Sequence, residues 1–133
     1  MWTAVLPAVF YKKGTHKMTA TKVTAELAEW IVGLDAAAIP AEVREEGVRT
    51  FVNWVGCAVG GARHETADRA LAAVEPFSGP RKATVLGRGE KLDVLHAALL
   101  NGITSHVLDY DDTHLKTIIH PAGPVASALL ALA

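Results

Sequence analysis

Residues 92–108 read LDVLHAALLNGITSHVL, and within them Leu92, Leu95, Leu99 and Ile103 recur at three- to four-residue spacing, flanked by Ala97 and Ala98. Spacing of this kind gathers apolar side chains on one face of an α-helix, so the segment predicts a central helix over 92–108 with that stripe turned to the core. Upstream, Glu65 to Val74 predicts a shorter helix with Ala67, Ala70, Leu71 and Val74 inward, ended before Pro76. Pro40 suits the opening of another helix, whose Val43, Val48, Phe51, Val52, Val55 and Val59 form an apolar stripe while Glu42, Arg44, Glu45, Glu46 and Arg49 face water. Its end, Gly56 to Ala62, is nearly all small residues, which lets a neighbour approach closely before the glycines stop the helix. Thr24 is placed to cap a first helix carrying Leu27, Trp30, Ile31 and Leu34. Downstream, Val125 to Ala133 is an apolar helical run that reads as cut in mid-helix. Residues 83–86 fit either a short edge strand or an extended loop. The expected class is all-α, a helical bundle-like unit.

The chain has 133 residues with 13 Lys and Arg against 14 Asp and Glu, a net charge of -1. That is one domain or part of one, and it lacks the clustered basic residues that binding to nucleic acid requires. No stretch of about 18 apolar residues is present to span a membrane. A single cysteine, Cys57, excludes an internal disulfide framework and a cysteine-based metal site, and it reads as a packing residue. The first 25 residues lack Asp and Glu but hold Lys12, Lys13, Lys17 and Lys22, the acid-poor balance of an organelle-targeting segment without its arginines. Residues 1–22 therefore read as a flexible N-terminal extension, with Met18 an alternative start, ahead of a helical domain over 23–133. The expected location is cytoplasmic, with mitochondrial the alternative.

Half of the six histidines and half of the six aspartates fall between His106 and His120. Continued helical spacing would put His106 and Asp109 together on the core-facing side of the helix, where an ionisable pair needs either a hydrogen-bonded structural role or a chemical one. Three motifs compete for Asp109 to Thr113. A calcium loop starting at Asp109 fails, because His114 stands where glycine makes the turn and His120 where a bidentate glutamate is needed. Asp109-x-Asp111-x-Thr113 matches the nucleophile motif of haloacid dehalogenase-like phosphatases, but that chemistry needs a strand before the first carboxylate and here a helical period precedes it.

The third reading uses more of the chain. Asn101-Gly102, the block from His106 through Asp109-Tyr110-Asp111-Asp112-Thr113 and then His120-Pro121 resemble the signature of the MmgE/PrpD family of 2-methylcitrate dehydratases and cis-aconitate decarboxylases, over roughly residues 23–133. The resemblance implies the N-terminal part of a large all-helical domain, followed in such proteins by a smaller α/β lid, with a catalytic Lys and a further His expected beyond residue 133. It also implies a lyase that works as a homodimer on a citrate-like tricarboxylate, with neither metal nor organic cofactor. By motif position the implied site residues are Asp109 and His120 as catalytic groups and Thr113 as a substrate-binding group, with His106 and Asp112 as further candidates.

These residue types suit that chemistry. Loss of water or carbon dioxide from a tricarboxylate needs proton transfer beside a carboxylate, which a histidine near neutrality provides, and donors for an anion of charge about -3. His120 and Thr113 offer both, Asp109 would orient a base or hold a proton, and His120-Pro121 reads as the opening of a helix whose free N–H groups favour an anion. The rival expectation is a helical module without turnover, in which the Asp and His cluster only closes a helix pair.

Overall fold

The computed structural model describes residues 22–133, so the expected N-terminal extension and Met18 lie outside the described residues except for Lys22. Two compact units divide at Arg44 and Glu45. The first contains α1 (Val23–Gly33) and a 3-10 turn over Ala36–Ala38. Thr24 does not cap α1: the helix already starts at Val23, and Lys22 holds the N-cap position with no side-chain bond. Asp35 caps the short turn, accepting from the Ala37 N–H at 2.9 Å. Pro40 sits immediately before α2 (Ala41–Gly61), its carbonyl accepting from Val43 and Arg44.

The second unit, Glu45–Ala133, carries the rest of α2 with α3 (Glu65–Val74), β1 (Ala83–Thr84), β2 (Lys91–Leu92), α4 (Val94–His106) and α5 (Ala122–Leu132). The chain is thus mostly helical, and α3 has the bounds its sequence predicts. The 83–86 stretch is half of a small hairpin: β1 pairs antiparallel with β2, Ala83 opposite Leu92 and Thr84 opposite Lys91. Gly87, at φ +69° in the connection, adopts the left-handed conformation that glycine tolerates best. No helix among the described residues is long and apolar enough to cross a membrane.

One core cluster joins Leu71 of α3, the hairpin residues Ala83, Val85 and Leu92, Ala97 and Leu100 of α4, and Ala131 of α5. A second gathers Trp54, Ala122 and Ala126, with Val55, Leu86 and Leu130 packed on it. Both depart from the predicted stripes. On α4 the buried face is Ala97, Leu100, Asn101, Thr104 and Ser105, while Leu95 and Leu99 are 79% and 49% exposed. On α2 it is Trp54, Ala58 and Gly61, with Val48, Phe51, Val52 and Val59 outward. Helix α4 is apolar on two sides, so hydrophobic spacing cannot select between them. The choice falls to the side whose polar members find partners and whose small members admit a neighbour.

Those partners are specific. Asn101 Oδ1 accepts from the Leu86 N–H at 2.9 Å and its Nδ2 donates to the Thr84 carbonyl at 3.0 Å, fastening α4 to the hairpin. Thr104 donates to the Asn101 carbonyl and Ser105 to that of Gly102. The small-residue run acts as predicted at Gly61, where a Cβ would overlap the Thr104 carbonyl oxygen and crowd Val107 Cγ1. Arg88, whose side chain is almost wholly buried, donates to the Ala62 carbonyl and to Asp68, both at 2.8 Å, and so ties the hairpin to the end of α2 and to α3.

Candidate functional site

The site is built on the connection between α4 and α5. Helix α4 stops at His106, the Asp109 N–H returns to the His106 carbonyl at 2.9 Å, and Asp109 turns the chain with φ +56°. Aspartate visits this left-handed region more readily than most residues. Beyond it, residues 114–119 close a small loop, His114 N–H bonding to the Ile119 carbonyl at 2.9 Å. Ile118 stands there at φ +53°, an unfavourable backbone for a β-branched residue, so this loop stores strain beside the site.

Asp111 is the centre of the arrangement. Its side chain is 1% exposed, and both carboxylate oxygens lie 3.0 Å from His106 Nδ1, while Oδ2 lies 3.4 Å from His120 Nδ1. The two imidazoles meet edge to face, 4.8 Å between centroids. An ionised carboxylate only accepts hydrogen bonds, so Asp111 calls for the hydrogen on Nδ1 of His106 and turns that ring's Nε2 away from itself. Asp109 completes the group: one ligand-type atom from each of His106, Asp109, Asp111 and His120 lies within 4.8 Å of all the others. Thr113 Oγ1 stands 3.4 Å from His120 Nδ1.

Of the residues singled out from sequence, Asp109, His106 and His120 are therefore brought together, and Thr113 borders them. The expected placing of His106 and Asp109 side by side on the core face of α4 is corrected: the helix has ended before Asp109, the His106 side chain is 55% exposed, and its carboxylate partner is Asp111. Asp112 does something different. Its carboxylate accepts from the Ala122 N–H at 3.1 Å, so it caps the start of α5. The opening of α5 after His120-Pro121 is as expected, but its first free N–H serves the protein's own aspartate, and a Cβ at Gly123 would sit 3.9 Å from Asp111 Oδ2. Both carboxylates thus lie where the α5 dipole favours negative charge. The phosphatase motif loses its structural basis, because a helix precedes Asp109 and the only strands among the described residues are β1 and β2.

Asp111 is the residue that sequence reading missed as a site member. The available signal is its place in Asp109-x-Asp111-x-Thr113. At Cys57, burial first and then the Asp111 and Asp112 carboxylates push the thiol above the usual cysteine range.

Comparison with known proteins gives the site a context. The family model of the MmgE/PrpD N-terminal domain matches residues 25–133. Cis-aconitate decarboxylase of Aspergillus terreus (strain NIH 2624 / FGSC A1156) is 29% identical over 120 residues, which cover 90% of this chain and 24% of that protein. Cis-aconitate decarboxylase-like protein oryM of Aspergillus oryzae is 28% identical over 111 residues, 84% of this chain and 23% of that one. Cis-aconitate decarboxylase of Homo sapiens is 30% identical over 118 residues, covering 87% and 24%. The chain spans about a quarter of the length of the curated relatives it matches.

Proposed function

The chain belongs to the MmgE/PrpD family, and from that premise we propose that it forms one wall of the active site of a lyase acting on a citrate-like tricarboxylate, with cis-aconitate the first candidate. The observation that carries this reading is the placing of Asp109 and Thr113 beside His120, with Thr113 Oγ1 3.4 Å from His120 Nδ1 and the Asp109 carboxylate within 4.8 Å of the two imidazoles. The relatives named as cis-aconitate decarboxylases support the substrate class.

In this reading His120 is the proton-transfer group. With its Nδ1 edge turned to Thr113 Oγ1 and Asp111, its Nε2 is the nitrogen that exchanges a proton with substrate. For a decarboxylation the carbon–carbon bond to one carboxylate breaks, carbon dioxide leaves, and the electron pair left on the substrate is quenched by a proton from His120. For a dehydration His120 would remove the proton beside a carboxylate as the carbon–oxygen bond breaks, and the imidazolium so formed would return that proton to the departing hydroxyl, which leaves as water. Thr113 donates a hydrogen bond to a substrate carboxylate. Asp109, which repels such a group when ionised, orients the base. The reaction so drawn needs only proton transfer, and neither a metal nor an organic cofactor takes part. A homodimer belongs to the same reading, supported by the exposed Leu95, Leu99, Leu129 and Leu132 along α4 and α5.

The test is turnover by a polypeptide of the relatives' length that contains this chain. Release of carbon dioxide from cis-aconitate supports the decarboxylase form, and loss of water from 2-methylcitrate supports the dehydratase form. No turnover of any tricarboxylate by a folded preparation overturns the proposal and favours the non-catalytic helical module.

A further inference from the structure

We propose that Asp111 is a positioning residue for His120: its buried carboxylate, held by His106, aims the His120 ring and balances the charge that this ring carries during proton transfer. The role rests on the lyase reading above and adds to it a residue outside the set of Asp109, Thr113 and His120. Asp111 itself reaches no substrate, because its side chain is 1% exposed.

A buried carboxylate without a counter-charge is costly, and among the described residues Asp111 pairs with no Lys or Arg. Its surroundings hold it in two ways. His106 Nδ1 stands 3.0 Å from both oxygens, a bond that fixes the direction in which the carboxylate points. Oδ2 also lies 3.9 Å from where a Cβ on Gly123 would stand, so the first turn of α5 brings the positive end of its dipole to that oxygen. The carboxylate so fixed presents Oδ2 to His120 Nδ1 at 3.4 Å. The His106 ring meets the His120 ring edge to face, 4.8 Å between centroids, and restricts its rotation on that side.

The same His120 nitrogen has Thr113 Oγ1 at 3.4 Å, so it faces one neutral and one charged oxygen. The two differ in what they respond to. A hydroxyl contact changes little when the ring gains or loses a proton, whereas the pull of a carboxylate grows with positive charge on the ring. An interaction that is stronger in the transition state than before it accelerates the chemical step and leaves substrate binding alone. Carboxylates behind a proton-transferring imidazole contribute up to about 10⁴-fold to turnover, and the longer, shared contact here points to about 30-fold. Asp111 therefore acts on kcat, while Thr113 acts on KM.

The test uses a polypeptide of the relatives' length that contains this chain, with cis-aconitate and 2-methylcitrate as substrates. Asp111→Asn, of the same shape but uncharged, should lower kcat about 30-fold and leave KM within about 2-fold. His106→Leu removes the donor to Asp111 and should lower kcat about 10-fold. His106→Asn returns an N–H close to the place of Nδ1 and should recover kcat to within about 3-fold of the wild type. The His106 side chain is half-exposed, so these two variants should fold, and they decide the matter if Asp111→Asn loses its helical circular dichroism. A purely structural role would lower the melting temperature without altering kcat per folded molecule. Wild-type kcat in folded Asp111→Asn, a loss carried by KM alone, or equal losses in His106→Leu and His106→Asn overturns the positioning role, and turnover by the wild type then leaves the lyase reading standing. No turnover by the folded wild type removes both.

Discussion

Two aspartates of this chain hold histidines, and they do so for different ends. Asp93 opens α4: its Oδ1 accepts from the Leu95 and His96 N–H groups, and its Oδ2 takes His96 Nδ1 at 2.6 Å, Ser78 Oγ at 2.8 Å and the Gly79 N–H at 2.8 Å. Three of these bonds come from within three residues, and the other two fasten the loop before the hairpin to the helix. Every lone pair is spent on the fold. Asp111, just beyond the other end of α4, is more deeply buried, yet its carboxylate faces two imidazoles from the two sides of a strained loop, His106 by hydrogen bond and His120 at an ion-pair distance of 3.4 Å. A carboxylate used for structure gathers backbone N–H groups; a carboxylate surrounded by titratable rings leaves their outer nitrogens available for chemistry.

The sharpest way to break this contrast is to exchange the expected outcomes. In a polypeptide of the relatives' length, His120→Ala should cut turnover of the tricarboxylate by about 100-fold or more while helical circular dichroism stays as in the wild type. Asp109→Asn should likewise lose turnover with its geometry retained, because an amide can neither take up a proton nor steady an imidazolium. Unchanged turnover per folded molecule in either variant would place the cluster beside Asp93 as structure. Asp93→Ala should do the opposite, lowering the melting temperature by roughly 5 °C through lost capping while leaving turnover per folded molecule within about 2-fold. Thr113→Val keeps the shape and removes one hydroxyl, so steady-state kinetics should register it as a KM raised about 10-fold with kcat little changed.

The same contrast explains what could be read from sequence. Helix α3 and the turn-in of α5 after Pro121 were legible because Ala67, Leu71 and the proline are local signals. The helical character of α2 and α4 was legible as well, but the buried face of neither was. Trp54, Ala58 and Gly61 outrank the valines because two of the three are small, and Asn101 outranks Leu95 and Leu99 because its bonds reach Leu86 and Thr84, which spacing along one helix does not reveal, while Thr104 and Ser105 satisfy their hydroxyls on carbonyls of α4 itself. In the candidate site, the residue types and the loop were legible and the pairing was not. Helical spacing joined His106 to Asp109, whereas the left-handed turn at Asp109 breaks that register and delivers Asp111 instead.

The finest separation of the two aspartates is their response to acid. The hydrogen bond from His96 foremost, and then those from the backbone at Gly79 and His96 and from Ser78 Oγ, hold the Asp93 carboxyl well below the ordinary aspartate value of 3.8. A group whose pKa is lower in the folded than in the unfolded chain binds its proton more tightly once unfolded, so it adds stability above that ordinary value and forfeits it progressively as pH falls through about 4 and below. Denaturant midpoints measured from pH 6 down to pH 2.5 should therefore fall more steeply in the wild type than in Asp93→Asn, which has no carboxyl to protonate. The variant should be the less stable near pH 6 and the difference should narrow towards pH 2.5. Parallel curves for the two proteins would mean that Asp93 is not the acid-sensitive clasp of α4, and would remove the structural half of the comparison.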